Sequence, residues 1–194
     1  MKAQVLALQS LALLAGFLAF GQEGPKPEHY AATWAVVGGV SGGTTVPIDV
    51  RINKFNTDAE INEYAALVAS KGPEGLRRAL EKQDVGQFSP VGKVGTPLAI
   101  ARKVVQGDQT IVRVLTIRPI SFAELRNGTR SVDYPYTMLE MVLDRSGKGT
   151  GTAIGAARIR FDKKKSTYEI ESFHHGADYN KLLNVRLLTS SGSL

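Results

Sequence analysis

Residues 46–53 read Val-Pro-Ile-Asp-Val-Arg-Ile-Asn, an unbroken alternation of apolar and polar side chains. Alternation of this kind puts every second side chain on the same face, which predicts a β-strand with one buried face and one solvated face. Pro47 has no amide hydrogen to donate to a neighbouring strand, so it fits the start of a strand or the edge of a sheet. This segment is the clearest strand in the chain.

After residue 84 the chain contains further strand-length apolar segments, which are separated by turn residues. Such repetition is typical of an antiparallel sheet that curls into a barrel or a sandwich. Together with the first strand, these segments make about eight strands. The later segments lie near 85–89, 97–105, 110–117, 136–144, 151–161, 167–173 and 182–188.

Two helices are predicted between the first strand and the later ones. Residues 57–60 read Thr-Asp-Ala-Glu, a capping box in which the threonine and glutamate side chains satisfy free amides at a helix start. Gly72 is suited to end that helix and Pro73 to begin another, which runs to about Gln83. The predicted fold is therefore α+β, with a strongly curled antiparallel sheet, barrel- or sandwich-like, packed against a pair of helices.

The N-terminal residues predict export from a bacterial cell. A lysine at position 2 precedes an apolar run over residues 5–20, and Ala19 and Gly21 are small residues at the positions that a signal peptidase reads. The run is shorter than the roughly 20 apolar residues that a membrane span requires. We therefore expect residues 1–21 to be a cleaved signal peptide, with no transmembrane segment afterwards and a periplasmic or extracellular location.

One domain of ordinary size remains after cleavage. We expect a flexible leader over 22–33, a single β-rich domain over 34–190 and a disordered tail over 191–194. The sequence contains no cysteine, which excludes disulfides, thiolate metal sites and cysteine nucleophiles. The net charge of +6, reduced by one when Lys2 is removed, is mild and dispersed. It predicts weak attraction to anionic surfaces but no nucleic-acid partner.

Residues 118–136 form the most unusual polar stretch, because they are long for a hairpin connection and long ordered loops often bind ligands. Arginine offers a planar fork to carboxylate or phosphate, and tyrosine offers a stacking surface and a hydroxyl. An internal network, with Arg126 or Arg130 paired to an acid and the tyrosines closing the core, explains the same composition. If the protein binds a ligand, the predicted site residues are Arg126, Arg130, Asp133, Tyr134 and Tyr136.

No catalytic residue, metal ligand or cofactor is predicted. Residues 39–43 match the pattern G-x-S-x-G, but a strand rather than a helix follows the serine. The glycine-rich residues 147–151 lack the spacing of a nucleotide-binding loop. His174 and His175 would point to opposite faces of a strand, and a polar surface turn explains them together with Asp178.

The chain resembles small exported proteins of environmental bacteria. The likeness rests on the signal peptide, on residues 85–90 (Val-Gly-Gln-Phe-Ser-Pro), on residues 118–125 (Arg-Pro-Ile-Ser-Phe-Ala-Glu-Leu) and on residues 182–186 (Leu-Leu-Asn-Val-Arg). It covers most of the mature chain. The resemblance implies export and a shared domain, and it implies no functional residue.

Three functions are compatible with these features. The first is a noncatalytic structural or macromolecule-binding protein, which should expose an apolar patch or an unpaired sheet edge. The second is a carrier that holds a small apolar or amphipathic ligand inside the curled sheet. The third is a hydrolase, for which Ser41, Asp133, Tyr134 and His174 are the candidates. The corresponding partners are a protein, a polymer or a small apolar ligand.

Export should leave a chain that begins at Gln22. Gly21→Leu places a bulky side chain at the cleavage position and should leave the signal peptide attached. Intact-mass measurement of protein from an exporting host distinguishes the two lengths. Gly24→Leu, just beyond the cleavage position, is the matched control and should be processed normally. An exported wild-type chain that still carries residues 1–21 would contradict the prediction.

Overall fold

The computed structural model describes residues 26–36, 43–117, 134–162, 165, 167–172 and 180–188. Within these residues the chain forms one helix and nine strands. The helix is α1 (Asp58–Leu80). The strands are β1 (Glu28–Val36), β2 (Thr44–Ile52), β3 (Gly86–Pro90), β4 (Thr96–Gln106), β5 (Gln109–Thr116), β6 (Tyr136–Leu143), β7 (Lys148–Asp162), β8 (Thr167–Ser172) and β9 (Asn180–Leu188).

Eight of the strands close into an antiparallel barrel. Strands β1 to β7 each pair with the next strand along the chain, β7 pairs with β9, and β9 pairs with β1. Strand β8 lies outside this ring and pairs with the C-terminal part of β7. The predicted curled antiparallel sheet is confirmed, and of the two forms left open it is a barrel.

The interior of the barrel is filled by side chains that every strand of the ring contributes, and we call this set the inner core. The rings of Trp34 and Phe88 meet edge to face there, with their centroids 6.0 Å apart. An eight-stranded barrel is just wide enough for side chains to fill it. The largest fully buried members are Trp34, Tyr30, Phe88, Ile48, Ile52, Leu98, Leu139, Met141 and Leu182.

Helix α1 packs against the outside of the barrel. Val68, Leu76 and Leu80 of the helix join residues from the outer faces of β4 to β7 in a second apolar set, the outer cluster. The predicted capping box is present, with the Glu60 amide donating to Thr57 Oγ1 at 3.2 Å and the Thr57 amide donating to Glu60 Oε2 at 2.7 Å. The described residues contain no helix with the length and apolar character needed to cross a membrane.

The predicted pair of helices is wrong, because the two segments form one helix with a kink. Gly72 leaves the helical conformation, with φ 69° and ψ −177°, and Pro73 follows it directly. A single glycine with a positive φ can bend the chain without a connecting loop. Since no loop intervenes, both halves of α1 contribute to the same outer cluster. The fold is accordingly mostly β.

The predicted leader also needs correction, because β1 begins at Glu28 and residues 28–33 are strand. Tyr30 and Trp34 of β1 are buried in the inner core. Alanine lies at position 31 on the outer side and at position 32 on the inner side, so the alternation that marks a strand is weak here. The tertiary pairing of β1 with both β2 and β9 overrides this weak local signal.

Two glycines allow β7 to approach β6 closely where the ring closes. A Cβ atom on Gly149 would lie 1.8 Å from the carbonyl oxygen of Val142, and one on Gly151 would lie 2.2 Å from that of Glu140. Both distances are far shorter than any van der Waals contact. A side chain at either position would therefore force β7 away from β6 and open the barrel.

Gly149→Ala should lower the free energy of unfolding by about 3 kcal/mol because the backbone of β7 must shift. Gly107→Ala is the control, since nothing lies within 4 Å of the added Cβ in the β4–β5 turn and only the positive φ of 58° adds strain. That strain costs about 1–2 kcal/mol. Denaturant unfolding followed by fluorescence of Trp34, the single tryptophan, measures both variants. Equal losses in the two variants would show that the close approach is unimportant.

Candidate functional site

The structure describes two of the five predicted ligand-binding residues, Tyr134 and Tyr136. The other three lie outside the described residues, as do three of the four hydrolase candidates and the histidine pair. These residues are Arg126, Arg130, Asp133, Ser41, His174 and His175.

Tyr136 is a core residue. Its side chain is 2% exposed and belongs to the outer cluster beneath α1. Burial raises the pKa of Tyr136 to about 12, and its hydroxyl has no hydrogen-bond partner among the described residues. Tyr136 therefore supports the alternative in which the tyrosines of this stretch close the core.

Tyr134 takes part in a polar network with residues of β7 and β8. Its hydroxyl donates to Glu171 Oε1 at 3.2 Å, and the Arg158 guanidinium lies over its ring, 4.8 Å from the centroid. Arg158 also donates to Glu171 Oε1 at 2.9 Å, and Arg160 Nε lies 3.3 Å from Glu171 Oε2. The hydrogen bond from Arg158 is the largest cause of the lowered pKa of Glu171. Tyr134 thus contacts Arg158 and Glu171, neither of which belongs to its own segment.

The partners of Tyr134 were missed by the sequence reasoning because they come from other strands. Arg158 and Arg160 occupy alternate positions of β7, and Glu169 and Glu171 occupy alternate positions of β8. Their alternation is a visible signal of a charged strand face. Only the antiparallel register, which places Arg158 opposite Glu171, shows that the two charged faces coincide.

These strands form a two-stranded extension of the barrel, residues 157–162 of β7 with residues 167–172 of β8, which we call the β7–β8 ribbon. β6 pairs with β7 only as far as Ala157, and β9 pairs with it only as far as Ala153. The ribbon therefore projects past the ring. A two-stranded ribbon is only marginally stable by itself in water, so its contacts with the barrel matter.

The two faces of the ribbon differ in character. One face carries the arginines and glutamates of the Tyr134 network. The other face carries the pairs Ile159 with Ile170 and Phe161 with Tyr168. Ile159 and Tyr168 pack on the outer cluster, whereas Phe161 and Ile170 are 45% and 51% exposed. The Phe161 and Tyr168 rings meet edge to face, with centroids 5.1 Å apart.

The described residues include one histidine that pairs with an acid. His29 Nε2 and Asp49 Oδ1 are 2.9 Å apart on the outer wall of the barrel. No serine or threonine hydroxyl in the described part of the chain forms a hydrogen bond with His29. The same residues contain no group of three or more histidine, aspartate or glutamate side chains that could hold a metal ion. Among the described residues, we take the exposed apolar face of the ribbon as the candidate functional surface because Phe161 and Ile170 are exposed on it.

Comparison of the chain with family models, with curated proteins and with solved structures finds no match.

Glu171→Gln should loosen the ribbon, because it removes the charge that both Arg158 and Arg160 contact. The amides of the ribbon should exchange with solvent about fivefold faster, as expected for the loss of about 1 kcal/mol from partly exposed ion pairs. Hydrogen exchange measured by mass spectrometry provides the readout, with the barrel strands as an internal reference.

Glu169→Gln is the matched control for this prediction. Glu169 lies on the same face of β8, but its carboxylate contacts only Lys165 among the described residues, at 2.6 Å. We expect this variant to leave ribbon exchange unchanged. Equal acceleration in both variants would show that the network does not anchor the ribbon.

Proposed function

We propose that this chain is an exported, noncatalytic protein that binds another protein through the apolar face of the β7–β8 ribbon. The observation that carries the proposal is the exposure of Phe161 and Ile170 at diagonal positions on one face of a ribbon that projects from a closed barrel. Exposed apolar patches with a polar surround are typical of interaction sites. Aromatic side chains are also enriched at the centre of protein interfaces.

The filled interior of the barrel supports binding on the outside rather than the carrier hypothesis. Trp34, Tyr30 and Phe88 are buried within the ring, and each is at most 1% exposed. Large side chains from facing strands occupy the space in which a carrier of this size would hold its ligand. We place the partner on the ribbon because its exposed apolar residues include an aromatic ring, Phe161.

The charges along β8 favour contact through the face of the ribbon rather than through its edge. Among the described strands β8 pairs only with β7, so one edge of β8 is open. Glu169 and Glu171 occupy alternate positions along that strand. If the β8 edges of two copies paired in an antiparallel way, centred on residue 169 or on residue 170, a glutamate of one copy would lie opposite a glutamate of the other. Charged residues on an edge strand oppose such pairing.

The size of the patch indicates a transient contact with a different protein. Phe161, Ile170 and Tyr168 together offer on the order of 300 Å² of apolar surface. A stable interface uses roughly 800 Å² on each partner. The ribbon face alone is thus too small to hold two copies of the chain together, but it suits a short-lived contact with an apolar groove on a partner protein.

Site-specific photo-crosslinking in an exporting host tests the proposal. A benzoylphenylalanine at position 161 should give a discrete cross-linked protein, and the added variant Ile170→Ser should abolish that product. The same probe at Val105, which is 68% exposed on β4, is the control and should give none. Because residue 170 is exposed, its replacement should change the free energy of unfolding by no more than about 0.5 kcal/mol. Identical products from both positions, or lipid adducts only, would overturn the proposal.

A further inference from the structure

Strand β9 contains one more residue than each of its neighbours at the same level of the barrel. On one side Thr33 and Ala31 of β1 pair with Leu183 and Arg186. On the other side Gly151 and Gly149 of β7 pair with Leu182 and Val185. Between these pairs a single residue of each neighbour, Ala32 of β1 or Thr150 of β7, opposes two residues of β9, which is a β-bulge shared by both pairings.

The extra residue determines which face Arg186 occupies. Leu182 and Val185 are both fully buried in the inner core, although they are three residues apart. In a regular strand Arg186 would lie on the same face as Leu182 and would point into the core. Asn184 adopts a left-handed conformation with φ 53°, which asparagine tolerates better than most residues, and this shifts the alternation. Arg186 consequently lies on the outer wall.

On the outer wall Arg186 meets another cation. Lys148 of β7 lies directly opposite Arg186 in the antiparallel register. Like charges in opposite positions on one sheet face destabilise the pairing of the strands. Such an unfavourable arrangement, produced by a backbone irregularity, is typical of a functional site.

Neither cation has a carboxylate within 4.0 Å in the described part of the chain. Asp144, four residues before Lys148, attracts it; the hydrogen bond from the Ser146 hydroxyl is the largest of the causes that lower the pKa of Asp144, and this attraction is the smallest. The Asp144 carboxylate itself accepts hydrogen bonds from the Ser146 hydroxyl at 2.6 Å and from backbone amides. Asp49 is paired with His29 at 2.9 Å. Asp49 lies two strands away from Arg186, across Ala31, and two strand spacings amount to roughly 10 Å.

The pairing of the other arginines makes this arrangement unusual. The described residues include nine arginines, and seven of them lie within 4.0 Å of a carboxylate. The remaining two are Arg51 on β2 and Arg186, both on the part of the outer wall that α1 leaves uncovered. Arg186 borders a groove.

The groove has a volume of about 660 Å³ and runs along the bulge. Its lining includes Ala31, Thr33, Asn184 and both cations, and on the β2 side it includes Asp49, which is paired with His29. The small side chain of Ala31, next to Arg186 on β1, leaves room beside the guanidinium. Arginine presents a fork of donors that matches a tetrahedral oxyanion, and lysine adds a point charge.

We propose that this groove binds a phosphate group between Lys148 and Arg186. The inference is independent of the ribbon, which lies on the extension of β7. Bound phosphate would relieve the repulsion between the two cations, and Asn184 would supply a neutral donor at the bulge. The phosphate group belongs either to a free phosphate compound or to a lipid headgroup, since both present the same oxyanion.

The test is a titration of the exported chain with inorganic phosphate, followed by ¹H–¹⁵N NMR. The amides of Lys148, Asn184 and Arg186 should shift saturably. Arg186→Gln should weaken binding about tenfold, as expected when a charged hydrogen-bond donor is removed. A titration without saturable shifts at these residues would overturn the proposal.

Arg51→Gln is the matched control, because it removes the same charge from the same wall outside the groove. It should weaken binding less than about twofold, as expected for a screened charge at a distance. Equal weakening in both variants would show diffuse attraction and would also overturn the proposal. Because Arg186→Gln removes a like-charge contact, it should not lower the free energy of unfolding, which separates lost binding from lost folding.

Vesicles distinguish the two sources of the phosphate group. Sedimentation with phosphatidylglycerol vesicles, compared with phosphatidylcholine vesicles, should reveal binding that Arg186→Gln abolishes if the ligand is a lipid headgroup. Saturable binding of inorganic phosphate without vesicle binding identifies a free phosphate compound instead. Vesicle binding that is the same in wild type and in Arg186→Gln would contradict a role for the groove.

Discussion

The pairing of β1 with β9 is the constraint on which the rest of the structure depends. It joins the first and last described strands, with His29 opposite Leu188 at one end and Ala35 opposite Lys181 at the other. This pairing closes the sheet, so that one face of each ring strand becomes an interior and the other an exterior. In this ring, large side chains fill the interior. The binding surfaces that we propose accordingly lie on the outer wall and on an element that leaves the ring.

Both proposed surfaces arise where one strand of the ring departs from a regular barrel strand. Strand β7 is 15 residues long and outruns its partners in the ring, so its C-terminal part pairs with β8 and forms the ribbon. Strand β9 accommodates one extra residue at Asn184 and thereby turns Arg186 outward. The excess length of one strand and the irregularity of another are local departures from a regular barrel. The first departure exposes the apolar side chains of Phe161 and Ile170, and the second places Arg186 on the outer wall opposite Lys148.

The strands after residue 84 could be predicted from the sequence because their turns and alternation are local signals. β1 was partly missed because alanines on both of its faces weaken the alternation. The kink at Gly72 was predicted as a break between two helices, since glycine followed by proline is suited to either. The predicted pairing of Arg126 or Arg130 with an acid lies outside the described residues, and the described partners of Tyr134, Arg158 and Glu171, depend on a strand register. Tyr136 fits the alternative in which the tyrosines close the core, but the cluster beneath α1 that buries it is a tertiary feature.

The sequence by itself determined the class of the fold, since the alternation in residues 46–53 and the repeated turns are properties of neighbouring residues. It also determined the amino-acid composition, including the excess of basic residues and the absence of cysteine. Only the tertiary structure decided that the sheet closes, that Phe161 and Ile170 share an exposed face, and that Lys148 lies opposite Arg186. These features depend on the register between strands, and a single extra residue in β9 reverses the face of every side chain that follows it.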